Sequence, residues 1–272
     1  RLLAGQGSRI GKGCITQDEK SDIILTSPVL KEIFMSEREQ ELISEKQERT
    51  LREIGSGFGA KIYLVERPSG ERLAKKVFDP NKVARIAYRI YRWREHPFMA
   101  SYAPYVIKGA YELRRIGHRL TRAFNVGVEI VDAVELGQDE LSFYSPFIEA
   151  PHYSPLDTDS KESLNRLEKH FSKIGLPVWS FGGYLKEERR KRNVLVDEKG
   201  RLCVVDYEAG WPYFSRQDLI GFDDVQILRL QRFLALGHQV LRDRLGDRDF
   251  LELMKSWEKY QLYSNYWRGQ ES

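Results

Sequence analysis

Sulfur and long apolar runs are scarce in this chain. Its 272 residues include two cysteines, Cys14 and Cys203, which lie far apart and form no metal-ligand pattern. A reducing compartment is therefore the default expectation. Cys203 alternates within an apolar strand pattern, which predicts a small core residue. No apolar run approaches the length of a membrane span, and the first residues lack the apolar core of a secretory leader. The expected location is the cytoplasm. A phosphate-gripping P-loop is missing too: Gly5-Gln6-Gly7-Ser8-Arg9-Ile10-Gly11-Lys12-Gly13 has the wrong spacing, and Gly13 follows the lysine where a Ser or Thr belongs.

Charge and apolar content are both ample. Hydrophobic residues make up 41% and charged residues 31%, the balance of a globular protein with a highly charged surface. The length allows one large core or two lobes. A net charge of +4 gives mild affinity for anionic partners without identifying nucleic acid as one of them.

Along the chain, the first 35 or so residues are rich in Gly, Ser and Thr and show little periodicity. Ser36-Glu37-Arg38-Glu39 is a capping box that predicts a polar helix to about Glu48. Leu51-Arg52-Glu53-Ile54, Lys61-Ile62-Tyr63-Leu64-Val65 and Arg72-Leu73-Ala74-Lys75-Lys76-Val77-Phe78 read as three strands. A glycine turn joins the first two, and Pro68-Ser69-Gly70 joins the second and third. A basic and aromatic helix is expected from Asn81 to about Glu95, and a second helix from about Ile107 to Phe124. Strands then run from Val126 to Ile148, and Pro151 to Pro155 reads as a linker. A helix from Ser160 to Lys173 precedes a hairpin, and the sequence after Pro212 is helical. Leu228, Leu230, Phe233, Leu234 and Leu236 are its core candidates.

The hairpin is Asn193-Val194-Leu195-Val196, a turn at Asp197-Glu198-Lys199-Gly200, and Leu202-Cys203-Val204-Val205-Asp206. It places an amide at the start of one strand and a carboxylate at the end of the next, thirteen residues apart. Both are hard oxygen ligands of the kind a divalent cation such as Mg²⁺ accepts. Upstream, the glycines of Gly55-Ser56-Gly57-Phe58-Gly59-Ala60 allow backbone amides to approach phosphate oxygens. Lys76, on the third strand, is placed to reach beneath them.

In this order the motifs resemble the protein-kinase-like superfamily over roughly residues 50 to 240. Gly55, Gly57 and Ala60 match the small positions of the family's glycine-rich loop, with Ala60 replacing the third glycine. Ala74-Lys75-Lys76 matches Ala-x-Lys. Glu112 matches the glutamate that pairs with that lysine, and Glu95 competes for the same role. Asn193 matches the catalytic-loop asparagine, and Asp206-Tyr207-Glu208 stands where the family has Asp-Phe-Gly. The resemblance implies an α+β, two-lobed fold with a β-rich N-lobe (50–150), a short, mainly helical C-lobe (151–272) and an N-terminal extension (1–49). It also implies ATP and Mg²⁺ as cofactors. Gly55 to Ala60 would cover the triphosphate, including Ser56, Phe58 and Gly59, while Lys76 contacts phosphate and Asn193 and Asp206 hold the metal.

Three departures qualify the implied activity. The family's catalytic aspartate lies five residues before the asparagine, where this chain has Glu188. Aligned from the preceding helix instead, the motif falls at Trp179-Ser180-Phe181 and an insertion follows; neither register supplies Asp. Glu208 replaces a glycine. No Ala-Pro-Glu follows Asp206, so the peptide-supporting segment of protein kinases is missing. The expectation is an atypical kinase acting on a small-molecule, sugar or lipid acceptor, and less readily on a protein. The alternative is a pseudokinase scaffold. The run Arg189 to Arg192 fits an anionic acceptor. The basic helix containing Arg85, Arg89 and Arg92 fits a membrane surface or protein partner, and leaves nucleic acid open.

Overall fold

A computed structural model gives the fold and describes residues 48–56, 60–78, 104–178, 180–183, 186–207 and 224–267. The expected helix at 81–95 and, but for Glu48, the one at 36–48 lie outside the described residues, as do Cys14, Gly57, Phe58, Gly59 and Glu208. The elements are β1 (Arg49–Ser56), β2 (Lys61–Glu66), β3 (Arg72–Val77), α1 (Pro104–Phe124), β4 (Val128–Ile130), β5 (Glu135–Leu136) and β6 (Ser142–Pro146). They continue with α2 (Thr158–Ile174), α3 (Lys186–Asn193), β7 (Val194–Val196), β8 (Leu202–Val204), α4 (Asp224–Leu236), α5 (His238–Leu245) and α6 (Asp247–Trp267). The class is α+β, as expected.

Five strands form an antiparallel sheet in the order β1-β2-β3-β6-β5. Gly70 closes the turn between β2 and β3 at φ 82°, and its N–H donates to the Arg67 carbonyl at 2.9 Å. That left-handed backbone suits glycine, which has no Cβ to clash. Successive residues of β3 point to opposite faces. Leu73 and Lys75 share the face of Val65 and Tyr144, where the Lys75 ammonium lies over the Tyr144 ring and pairs with Glu48 at 2.6 Å. Ala74 and Lys76 take the other face, with Lys76 opposite Phe143 in register. Period two therefore decides which lysine of the pair faces inward. β1 is an edge strand whose charged, exposed residues and two register shifts discourage further strand addition.

The second sheet has the order β4-β8-β7, with β4 parallel and β7 antiparallel to β8. Its hairpin turn is organised by Asp197, whose Oδ1 accepts from the Lys199 and Arg201 amides and whose Oδ2 accepts from Arg201 Nε at 2.8 Å. Pro151 to Pro155 is pinned rather than free. The Val196 amide donates to the Pro151 carbonyl, and the Tyr153 amide to the Val194 carbonyl, each at 2.9 Å.

The main core lies between this sheet and helices α1, α2, α4 and α6. α2 starts at Asp157, whose carboxylate accepts from the Asp159 and Ser160 amides, and ends at Gly175 in the left-handed conformation. On α4 the buried residues are Ile227, Leu230 and Leu234, at the i, i+3, i+7 spacing of one helical face. Leu228 and Leu236 are exposed, contrary to expectation, because Leu228 is rotated about 100° from Ile227 and Leu236 about 200° from Leu234, off the buried face. Cys203 is buried and free, as expected. No helix among the described residues is long and apolar enough to cross a membrane.

Candidate functional site

The hairpin reaches the inner face of the large sheet through one ion pair. Lys76 Nζ donates to Asp206 Oδ1 at 2.6 Å across 130 residues of sequence. The Lys76 side chain is 8% exposed and that of Asp206 is 37% exposed, so the carboxylate opens to solvent from a buried cation. Burial works to raise the Asp206 pKa. The charge and hydrogen bond of Lys76, with the charge of Arg114, outweigh it and hold the carboxyl below its usual range.

Asn193 sits beside this pair. Val194 faces Val204 in the hairpin register, and the Val205 amide donates to the Asn193 carbonyl at 2.8 Å. Asn193 and Asp206 therefore occupy the same end of the hairpin. The Asn193 side-chain amide donates to the Ser180 carbonyl at 3.1 Å, which commits its nitrogen and leaves its oxygen, an acceptor, as the atom that could meet a cation. No cluster of three or more His, Cys, Asp or Glu residues suited to a metal occurs among the described residues. One carboxylate and one amide oxygen fit Mg²⁺, which keeps water and phosphate in most of its shell, better than they fit a metal needing an all-protein cage.

Tyr207, next to Asp206, is fully buried against Phe181 and Phe171, with ring centroids 6.3 and 5.9 Å away. The Gly117 backbone lies so close that a Cβ there would meet Tyr207 Cε1 at 2.7 Å and Ile130 Cδ1 at 2.9 Å. Only glycine lets this ring pack on α1. Phe181, which follows α2, thus stacks on the residue next to Asp206, and α3 (Lys186–Asn193) lies between Phe181 and the hairpin.

α3 carries five cationic residues in eight, yet it is anchored. Arg190 is fully buried and donates to the Phe181 carbonyl at 2.7 Å and to Asn165 Oδ1 at 2.9 Å, and it pairs with Glu168 and Glu187 at 3.3 Å. Glu187 and Glu188 in its first turn and basic residues in its last complement the helix dipole. Glu188 itself has a side chain 60% exposed and paired with Lys191 at 3.3 Å.

Glu112 is not brought to the Lys76–Asp206 pair. It is 1% exposed and lies between α1 and α6, with Arg115 at 3.6 Å and Lys259 at 3.8 Å. The α1 residue whose charge reaches Asp206 is Arg114, and two helical residues span about 200°. Burial raises the Glu112 pKa despite Arg115, Ser256 and Lys259. A carboxyl raised in the folded state costs stability above its folded pKa and costs nothing below its unfolded one. Glu112→Gln is therefore expected to raise the melting temperature at pH 7 and to leave it near wild type at pH 4, measured by thermal melts across that range.

Ser56 and Gly55 end β1, and Ala60 is buried just before β2. A Cβ at Gly55 would meet nothing closer than Ile62 at 3.5 Å, so local space does not demand glycine there.

No family model matches the chain, and no curated protein matches it. Among solved structures it is similar to the Rio2 kinase–ADP/Mg²⁺–phosphoaspartate complex from Chaetomium thermophilum, with 11% identity and a TM-score of 0.37. The similarity covers 82% of this chain and 72% of that one.

Two site residues escaped the sequence. Sequence reasoning assigns Arg114 no role and reads Arg190 only as part of a basic run suited to an anionic acceptor; both are buried. The one signal for Arg114 was its placement at i+3 and i+7 from Tyr111 and Ile107, which pack with Phe143.

Proposed function

We propose that this protein binds ATP with Mg²⁺ and transfers phosphate to a small-molecule, sugar or lipid acceptor, as an atypical kinase-like enzyme. The observation that carries the proposal is the meeting of Lys76 and Asp206 at 2.6 Å, with Asn193 at the same hairpin end. A lysine and a carboxylate far apart in sequence, with an amide beside the carboxylate, form the charge set that phosphate and a hard cation need.

In this reading Lys76 would contact a phosphate oxygen, and Asp206 with the Asn193 amide oxygen would hold the metal. Bound Mg²⁺ would supply charge neutralisation at the phosphate oxygens. Gly55 pairs with Ile62, and Ile62 with Lys76, so a loop that starts at Gly55 would cover the phosphates. The tether from Asn193 to Ser180 and the buried ring of Tyr207 fix the two metal candidates on a rigid frame.

A second reading, nucleotide binding without transfer, is favoured by one observation. Glu188, the residue five before Asn193, is exposed and pairs with Lys191. Phosphoryl transfer depends more on positioning and charge neutralisation than on a base, so the enzyme remains the reading we propose. It gives Glu188 no part in proton transfer.

Lys76→Met tests the binding half. Losing a charge-assisted contact to phosphate is expected to weaken ATP binding roughly ten- to hundredfold in calorimetry. Unchanged affinity would remove Lys76, and with it the proposed site.

A further inference from the structure

We propose that Arg114 is a positioning residue for Asp206: it fastens the backbone just before that carboxylate to α1 and sets a second positive charge behind it. For what Asp206 is positioned to do, this rests on the nucleotide reading above; the contacts themselves do not. Arg114 is buried, and its guanidinium spends its donors on two carbonyls from different parts of the fold. Nε donates to the Val131 carbonyl, just past β4, at 2.7 Å, and Nη2 donates to the carbonyl of Val205. Its plane lies over the Phe143 ring at 5.5 Å, and Phe143 is the β6 residue opposite Lys76. One side chain thus touches the large sheet, the small sheet and the residue preceding Asp206.

Neither of these hydrogen bonds goes to a carboxylate. Its charge is balanced through space by Asp206 and Asp132, and burial still lowers its pKa to about 10. Placing a cation in such surroundings is costly, and a leucine would fill the core at less expense. The planar fork explains the choice, since a lysine ammonium cannot hold two divergent carbonyls in one fixed geometry. The resemblance leads one to expect a carboxylate on this helix for Lys76. The α1 side chain whose charge reaches Asp206 is the cation Arg114, so Lys76 and Arg114 bracket one carboxylate.

Two readouts test this without any nucleotide. In a double-mutant cycle with Arg114→Gln and Asp206→Asn, the combined loss of melting temperature is expected to fall several degrees short of the sum of the single losses. Strict additivity would overturn the charge role. Arg114→Lys, which keeps the charge and loses the fork, guards against a variant that fails to fold. Hydrogen exchange across Val205 to Tyr207 is expected to quicken roughly tenfold in it while α2 exchanges as in wild type. A uniform change, or none, would overturn the tether. Failure of ATP to bind wild type would sink the proposed function and leave both results standing.

Discussion

Arg190→Met is expected to cost about 3 kcal/mol, lowering the melting temperature by roughly 6–12 °C for a chain of this size. The substitution keeps apolar volume and removes the only buried polar anchor of α3, leaving the more exposed contacts of Lys186 and Arg189 and the Asn193–Ser180 hydrogen bond in place. Phe181 loses a donor to its carbonyl, Asn165 loses one to its side chain, and Glu168 and Glu187 lose their buried cation. Those glutamates have side chains 22% and 33% exposed. Water therefore relieves part of the loss, and the estimate sits at the low end for a broken buried pair. The rest of α3 offers no other buried residue to compensate. Its C-terminal residue is Asn193, so a loosened α3 also displaces a metal candidate. Urea denaturation gives the stability loss, and a loss within 0.5 kcal/mol of zero, the range of ordinary surface changes, would contradict the anchoring role.

Asp206→Asn is expected to destabilise by about 2 kcal/mol at pH 7, since Lys76 and Arg114 stay buried without their shared carboxylate. The figure is discounted because the Asp206 side chain is more than a third exposed. pH supplies the sign. A carboxyl depressed in the folded state stabilises above its unfolded pKa, about 3.9, and loses that contribution as pH falls through its folded value. The gap between wild type and Asp206→Asn should be full at pH 7 and shrink steadily below about pH 4. Melts from pH 7 down to pH 3 read it directly, and a gap independent of pH would place the effect in packing rather than charge.

Much of this site is visible in the sequence because strands have a rigid period. Alternation along Leu73-Ala74-Lys75-Lys76 places one lysine with Tyr144 and the other with Phe143, and the hairpin turn at Asp197 to Gly200 sets Asn193 and Asp206 at one end. Helices are harder to read, because their phase depends on what packs against them. Glu112 and Arg114 are two residues apart, and only the docking of α6 on one face of α1 and the sheets on the other decides which meets Asp206. Buried arginines are harder still. Arg114 and Arg190 satisfy backbone carbonyls that no sequence pattern identifies, so they look like any solvated cation. The loop before Asn193 had two registers, and the contact of Phe181 with Tyr207 is a tertiary fact that no local spacing carries.

The central claim is that Lys76, Asn193 and Asp206 form one site for nucleotide and metal. Its most direct test is the melting temperature with ATP, in the presence and absence of Mg²⁺, for wild type and Asp206→Ala. The account predicts that ATP stabilises wild type, that Mg²⁺ enlarges the shift, and that the metal-dependent part disappears in Asp206→Ala. No shift in wild type, or an equal metal-dependent shift in the variant, would contradict it.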